Sequence, residues 1–167
     1  MSAVISADGR CRYRLDRHIG AGRIVYAYFG VNGATADGDT DDHTVRKWNG
    51  FTRINLGLRY IVGNAFGHRA KDVRELALQD DPIGPDNDFY LAQIIAEADI
   101  LVPCWGSRGK LPRRLRPRLD DVAAMLHASG KPIKIFGLTN SLDPLHPLTL
   151  GYDTPLIDWQ QGQGIFG

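Results

Sequence analysis

The chain has 167 residues, of which 43% are hydrophobic and 23% are charged. This is the size and composition of one globular domain with a substantial core. The formal net charge of +1 excludes overall electrostatic attraction to nucleic acid, so such binding would need a local basic patch. The N-terminal segment MSAVISADGR lacks the features of a signal peptide, and no stretch approaches the ~20 apolar residues that span a bilayer. We therefore expect a cytoplasmic protein with no membrane partner, folded as a single domain over residues 1–167.

Five strand-like runs alternate with helical segments along the chain. The runs cover residues 12–17, 23–30, 59–66, 99–105 and 132–139. This alternation is typical of βαβ units around a parallel sheet. The runs at 24–29 and 100–102 are continuously apolar, which indicates central strands covered by helices on both faces. The pattern predicts an α/β fold, a three-layer α/β/α sandwich with a central, mostly parallel sheet.

Three helices are predicted, over residues 43–56, 85–98 and 113–128. Apolar residues recur every three or four positions in each one, as expected for a helix with one buried face. In the first helix these residues are Val45, Trp48, Phe51 and Ile54. Asp41 or Asp42 is expected to cap the first helix and Asp86 the second. Residues 160–167 are expected to form a flexible tail.

Polar and aromatic side chains are concentrated in the loops that follow the predicted strands. These loops comprise residues 30–42, 63–72, 105–114 and 137–148. Ligands of open parallel sheets bind beyond the carboxyl ends of the strands, so we expect the loops to form one rim. They carry Asn32 and Asn64 beside glycines, and the aromatic residues Phe66 and Trp105. A polar cleft with aromatic surfaces suits a planar heterocycle.

The first of these loops is rich in aspartate. Asp37, Asp39 and Asp41 have the 1, 3, 5 spacing of a calcium-binding EF-hand loop. Position 6 of that motif is Asp42 instead of glycine, and position 12 is not the required glutamate. No phosphate-binding GxxxxGK[ST] motif is present. The alternative is a solvated turn whose aspartates only cap the helix that follows.

A histidine and two cysteines are the other reactive candidates. His146, which precedes Pro147, fits either a hydrogen-bonded structural residue or a catalytic residue. Cys11 and Cys104 are far apart and lie in no CxxC or histidine-rich segment. We therefore expect reduced thiols and no thiolate metal site.

Several segments resemble, in order and spacing, a bacterial and phage family that is defined as a domain of unknown function. They are VNGATADGDTDDHTVRKWNGF, GNAFGHRAKDVREL, DDPIGPDND, DILVPCWGSRGKL and GLTNSLDPLHPLTLGYDTPL. Members of that family usually read Leu-Asn-Pro-Ser-Thr-Ala-Asp in the first block and His-Pro-Leu-Tyr-Leu in the last. The resemblance covers the chain from Arg12 to Trp159 and implies a family without implying a reaction.

The layout also resembles the uracil-DNA glycosylase superfamily. The similar features are an asparagine loop after the first core strand, an apolar strand that ends in Trp-Gly, and a late His-Pro-Leu. The resemblance implies a three-layer α/β fold in which Asn32 positions the attacking water and His146 stabilises the departing base. It also implies a stacking aromatic residue, for which Phe66 is our choice.

Hydrolysis of an N-glycosidic bond places positive charge on the sugar and negative charge on the base, so it needs a polar group at each end. Asn32 and Asp37 are the candidates at the sugar, and His146 is the candidate at the base. The predicted substrate-binding residues are Thr35, Asp42, Asn64, Phe66, Arg69, Trp105, Gly106 and Thr139. Lys110, Arg113 and Arg114 are expected to contact a nucleic-acid backbone. The expected partner is a nucleobase, a nucleotide or DNA, and this chemistry requires no cofactor and no metal.

The sequence departs from both patterns. Gly33 replaces the proline that usually follows the asparagine, and the last loop lacks the cations of the family pattern. The basic stretch at residues 110–118 either compensates for this loss or forms a solvated helix face. Two alternatives to a hydrolase therefore stay open. One is a non-catalytic module that binds a modified base or nucleotide, and the other is a metal-dependent hydrolase or transferase built on Asp37, Asp39 and Asp42.

Overall fold

The computed structural model describes residues 1–34 and 36–159. Its strands are β1 (Ser2–Ile5), β2 (Arg12–His18), β3 (Ile24–Asn32), β4 (Gly57–Phe66), β5 (Ile100–Pro103), β6 (Lys134–Ile135) and β7 (Ile157–Asp158). Its α-helices are α1 (His43–Ile54), α2 (Asn87–Glu97) and α3 (Pro117–Ala128). Short 3-10 helices cover Val73–Leu78, Arg108–Lys110, Arg113–Leu115 and Pro147–Thr149. Thr35 and the tail predicted at 160–167 lie outside the described residues.

The main sheet has five strands in the order β1-β2-β4-β3-β5. β3 runs parallel to β4 and β5, whereas β2 is antiparallel to β1 and β4. The sheet is therefore mixed, with its parallel part in β4, β3 and β5. Because β2 runs in the opposite direction, its first residue lies at the edge where β3 and β4 end. There the N–H of Arg12 donates to the carbonyl of Gly67 at 2.9 Å.

Alternate residues of the central strand β3 pack on opposite faces of the sheet. Tyr26 and Tyr28 join the buried cluster that contains residues of α1. Ala27 and Phe29 join the cluster that contains residues of α2 and α3. Since successive side chains of a strand point to opposite faces, helices cover the sheet on both sides and form three layers. The protein thus has a mixed α/β fold, as the alternation of elements predicted.

The first helix begins where the sequence predicts and is capped by the second of the two candidate aspartates. The Oδ1 atom of Asp42 accepts a hydrogen bond from the N–H of Val45 at 2.9 Å. The predicted apolar stripe is buried except at its last position, where Ile54 is 54% exposed. The helix was predicted to continue to residue 56, but α1 ends at Ile54, and Leu56 adopts a positive φ of 58°.

The third predicted helix begins later than expected. Residues Arg113–Leu115 form a 3-10 turn, and α3 starts at Pro117. Proline is favoured in the first turn of a helix because its missing N–H would have no partner there. The helix therefore starts at the proline.

The predicted strand at 132–139 is reduced to β6, which pairs antiparallel with β7 in a separate two-stranded sheet. Gly137, whose φ is +142°, takes the chain out of regular strand geometry. The loop after it closes on itself, because the N–H of Leu145 donates to the carbonyl of Gly137 at 3.0 Å. This closure brings the His-Pro segment back toward the main sheet. In the described ranges, no helix combines the length and the apolar character needed to cross a membrane.

Candidate functional site

A cavity of about 210 Å³ lies at the carboxyl ends of β3 and β4. The end of β3 and the residues after it, Gly30 to Ala34, form one wall. The start of α1, the loop after β5 and the last loop contribute the other walls. This is the edge at which open α/β sheets place their ligands.

Asn32, the last residue of β3, lines this cavity. Its Nδ2 group donates to the carbonyls of Ala70 at 2.9 Å and Gly33 at 3.0 Å. These two bonds fix the orientation of the carboxamide. Within residues 1–34 and 36–159, no donor reaches its Oδ1 atom, so that oxygen is the acceptor left for a ligand or a water molecule.

His146 lines the same cavity from the opposite end of the chain. Its Nδ1 atom accepts a hydrogen bond from the N–H of Leu148 at 3.1 Å. That nitrogen therefore carries no proton, and the proton of the neutral ring is on Nε2. Burial lowers the pKa of His146 below its ordinary 6.5, the positive charge of Lys110 lowers it further, and Asp42 acts in the opposite direction. At neutral pH the ring is an uncharged donor through Nε2.

Asn64 extends over β3 into the cavity wall because residue 30 has no side chain. Gly30 and Asn64 are neighbours across the parallel strands, and a Cβ atom at residue 30 would lie 2.9 Å from Asn64 Oδ1. Asn64 is 2% exposed, and no described residue forms a hydrogen bond with its side chain. Buried carboxamides normally have partners. This group is therefore available to hydrogen-bond a ligand.

Two tryptophans provide the large apolar surfaces of the cavity. Trp48 reaches it from α1 and Trp105 from the end of β5, and each is 4% exposed. The ring of Trp105 is held edge-to-face against Trp159, with their centroids 6.4 Å apart. The Nε1 atom of Trp105 is buried and has no partner in the described part of the chain. The cavity thus has rigid aromatic walls.

Arg12 is a charged lining residue that the sequence analysis missed. It lies at the start of β2 and is 3% exposed. A mostly parallel sheet would place this residue at the edge far from the cavity, but the antiparallel direction of β2 brings it to the cavity edge. The available signal was the alternation of polar and apolar residues in RYRLDR, which is typical of an antiparallel strand.

The family is assigned by the sequence match that spans these same residues. The match covers residues 12–148 and is to the family described as Protein of unknown function (DUF1643). The chain belongs to this family. No curated protein and no solved structure matches it. Since every residue named above as lining the cavity lies between 12 and 148, the cavity is part of the region that the DUF1643 match covers.

The structure separates the predicted site residues into two groups. Those that line the cavity are Asn32, Asp42, Asn64, Trp105, Lys110 and His146. Those that lie outside its lining are Asp37, Phe66, Arg69, Gly106, Arg113, Arg114 and Thr139. The predicted Thr35 lies outside the described residues.

Phe66 packs in the core and is 1% exposed. It is therefore not on the cavity surface, whose aromatic side chains among the described residues are Trp48 and Trp105. Asp37 closes its own turn, since its Oδ1 atom accepts from the N–H groups of Asp39 and Thr40, both at 2.9 Å. These hydrogen bonds lower the pKa of Asp37.

The other outlying residues also have structural contacts. Arg69 Nε donates to the carbonyl of Ala34 at 3.1 Å, and the Thr139 hydroxyl shares a hydrogen bond with the Ser141 hydroxyl at 2.9 Å. Gly106 has a φ of +77°, and its N–H donates to a loop carbonyl at 2.8 Å. Arg113 is exposed, and Arg114 donates to the carbonyl of Ala77.

The aspartates of the first loop hold that loop in place. Asp41 pairs with the buried Arg17 at 2.8 Å and accepts from Asn49 Nδ2 at 3.1 Å. Asp42 caps α1, and Asp39 is exposed. Among the described residues, no three histidines, cysteines or acids are grouped so that they could hold a metal ion. The contacts of Asp37, Asp41 and Asp42 are those of the turn-and-cap interpretation of this loop.

Proposed function

We propose that this cavity binds a nucleobase and that the protein is a glycosylase-like hydrolase, which cleaves the N-glycosidic bond of a nucleotide or of a modified base in DNA. The observation that carries the proposal is that Asn32 and His146, from opposite ends of the chain, line one cavity. This is the pairing that the resemblance to uracil-DNA glycosylases implies.

The size of the cavity favours one heterocyclic base. Its volume of about 210 Å³ is below the ~300 Å³ at which pockets for drug-sized ligands begin. The carboxamide of Asn64, which forms no side-chain hydrogen bond with a described residue, has both a donor and an acceptor, and recognition of a base edge requires both. The indoles of Trp48 and Trp105 supply surfaces against which a planar ring can pack. These contacts also offset part of the few kcal/mol that it costs to unstack a base from DNA.

The proposed reaction is hydrolysis at C1′ of the sugar. The bond from C1′ to the base breaks, and its electron pair leaves with the base, where the Nε2–H of His146 donates to the developing negative charge. Asn32 Oδ1 orients the water that attacks C1′, and its released proton passes to solvent. Asp42 stabilises the positive charge on the sugar. One such preorganised donor contributes about 2.7–4 kcal/mol to the transition state.

The test is release of the base from defined substrates. Duplexes that carry uracil or hydroxymethyluracil, and the corresponding nucleotides, are incubated with the protein. DNA products are then treated with alkali, which breaks the strand at abasic sites. We expect strand breaks or free base with the wild type and a loss of about a hundredfold or more in rate for His146→Asn. Asparagine retains an acceptor for the N–H of Leu148, so the loop keeps its cap.

His127→Asn is the matched control. His127 is also partly buried, and burial also lowers its pKa, but it lies on α3 against Trp159. We expect this variant to keep the wild-type rate. Equal losses in the two variants, or no base release by the wild type from any substrate, would contradict the proposed hydrolase.

A second candidate, a non-catalytic base-binding module, is favoured by one observation. Asp42 is the one carboxylate among the described lining residues, and its Oδ1 atom is already committed to the cap of α1. Retention of the protein on modified duplexes without alkali-labile breaks would support the module over the hydrolase.

A further inference from the structure

The guanidinium of Arg12 is a buried positive charge that forms no ion pair with any described residue. Its Nη1 group donates to the carbonyl of Ala36 at 2.8 Å, and its Nε atom is buried without a partner. Among the described residues, no carboxylate lies within the 4.0 Å of a salt bridge. Arg17 on the same strand is equally buried at 3% exposure, but it pairs with Asp41 at 2.8 Å. Arg12 therefore lacks the compensation that this fold gives to its other buried strand arginine.

The chain backbone packs directly against this guanidinium. A Cβ atom at residue 33 would lie 2.8 Å from Arg12 Cζ and 2.9 Å from its Nε. Gly33 therefore permits an approach that any side chain would block. Burial lowers the pKa of Arg12 to about 10, with an opposing effect from Asp42. Arg12 is still protonated at neutral pH, so a positive charge is present in the cavity wall.

The other charged groups of the cavity leave this positive charge in excess. Lys110 is a second cation in the lining, and His146 is uncharged at neutral pH. Asp42 supplies one negative charge. The described lining thus has a net charge of +1, because two cations face one carboxylate. A ligand that complements it carries a negative charge.

We propose that the ligand of this cavity carries an oxyanion, a phosphate monoester or a carboxylate, which binds to Arg12. This inference rests on the proposed function, because base and anion share one cavity. The expected ligands are a nucleotide or an acidic heterocycle, in preference to a neutral nucleoside. Guanidinium groups suit this role because their N–H groups match the geometry of phosphate and carboxylate oxygens.

The basic stretch beside the cavity favours a small ligand over a polymer. Arg114 and Arg116 donate to backbone carbonyls, and Arg118 pairs with Asp88 and also donates to the carbonyl of Ala65. These side chains are engaged within the protein instead of being directed at a phosphate backbone. Arg12, in contrast, is a cation inside the cavity with no ion pair among the described residues, and a free nucleotide can reach it there.

The wild-type protein tests the inference directly. It is titrated at constant ionic strength with inorganic phosphate, orotate, deoxyuridine and deoxyuridine 5′-monophosphate. Binding is followed by calorimetry and by the NMR signal of the Arg12 Nε–H. We expect phosphate to shift this signal, and the monophosphate or orotate to bind about tenfold to a hundredfold more tightly than deoxyuridine. The monophosphate and orotate arms distinguish a phosphate ligand from a carboxylate ligand.

Arg12→Gln is expected to remove this preference for the charged ligand, whereas Arg14→Gln keeps it. Arg14 is the matched control because it lies on the same strand, where it pairs with Asp16 and Glu97. Should Arg12→Gln fail to fold, the wild-type titration decides whether the anion binds at Arg12. A shift of the Arg12 Nε–H signal supports the inference, and an unmoved signal contradicts it.

Two outcomes separate this inference from the proposed function. If deoxyuridine binds as tightly as both charged ligands and the Arg12 signal does not move, the anion site is refuted and the base pocket stands. If phosphate shifts the Arg12 signal but no base-containing ligand binds more tightly than phosphate alone, the anion site stands and the base pocket is refuted.

Discussion

Replacement of Arg17 by methionine tests whether the acidic loop is held by one buried arginine. Arg17 Nε donates to Asp41 at 2.8 Å, and its Nη1 group donates to the carbonyl of Asp16 at 2.9 Å. The Nη2 group also donates to the carbonyls of Asp37 and Thr40. Methionine has a similar length but no donor, so the substitution leaves Asp41 and these carbonyls without their partner.

The expected loss of stability follows from the burial of this ion pair. Removing one partner of a buried pair costs roughly 3–5 kcal/mol. The side chain of Asp41 is 24% exposed, so water partly hydrates the remaining carboxylate, and we expect about 3 kcal/mol, near the lower end of that range. For a chain of this size each kcal/mol lowers Tm by about 2–4 °C. The Tm of Arg17→Met should therefore fall by about 6–12 °C.

The measurement is calorimetric or circular-dichroism melting of three proteins side by side. Arg74→Met is the control, since Arg74 pairs with Asp72 on the surface and its side chain is 83% exposed. We expect the Tm of this control to match that of the wild type, because exposed ion pairs contribute little. If the Tm of Arg17→Met also equals that of the wild type, Arg17 does not hold the acidic loop in the way we describe.

Three further predictions concern the cavity and the buried thiols. Gly30→Ala should push the Asn64 carboxamide out of the cavity wall and weaken nucleotide binding about tenfold by calorimetry. Little change in Tm is expected, because no described residue forms a hydrogen bond with the Asn64 side chain. Because the pKa of His146 is lowered in the folded protein, the unfolded chain binds a proton on this ring at a higher pH than the folded chain does. The free energy of unfolding of the wild type, measured in urea relative to His146→Asn, should therefore decrease from about pH 7 to about pH 5. Burial raises the pKa of Cys104 to about 12 and also raises that of Cys11, so both thiols should resist iodoacetamide at about pH 8 until the protein unfolds.

Much of the fold was predictable because its main elements have strong periodic patterns. The apolar run at residues 24–29 became the central strand β3, and the stripe of Val45, Trp48 and Phe51 became the buried face of α1. The strand predicted at 132–139 was mostly wrong, since the conformation of Gly137 and the closure of the following loop outweigh the local apolar pattern. Strand direction was missed for β2, although the alternation of polar and apolar residues in RYRLDR is typical of an antiparallel strand.

The candidate site was predictable where it depends on the ends of the parallel strands. Asn32 and Asn64 reach the cavity because they lie at the carboxyl ends of β3 and β4. Phe66 follows the same rule by position, but its side chain packs in the core and is 1% exposed. Arg12 was missed because the antiparallel direction of β2, which brings this residue to the cavity, was not predicted.

The most direct test of the central claim is an NMR titration that observes both ends of the proposed site together. Uracil and deoxyuridine 5′-monophosphate are added to the wild-type protein, and the His146 Nε2–H and Asn32 Nδ2 signals are recorded with ligand affinity. We predict saturable shifts of both signals at the same ligand concentration. Saturable binding that moves neither signal, or no binding of either ligand, would contradict the claim that these two side chains form one base-binding site.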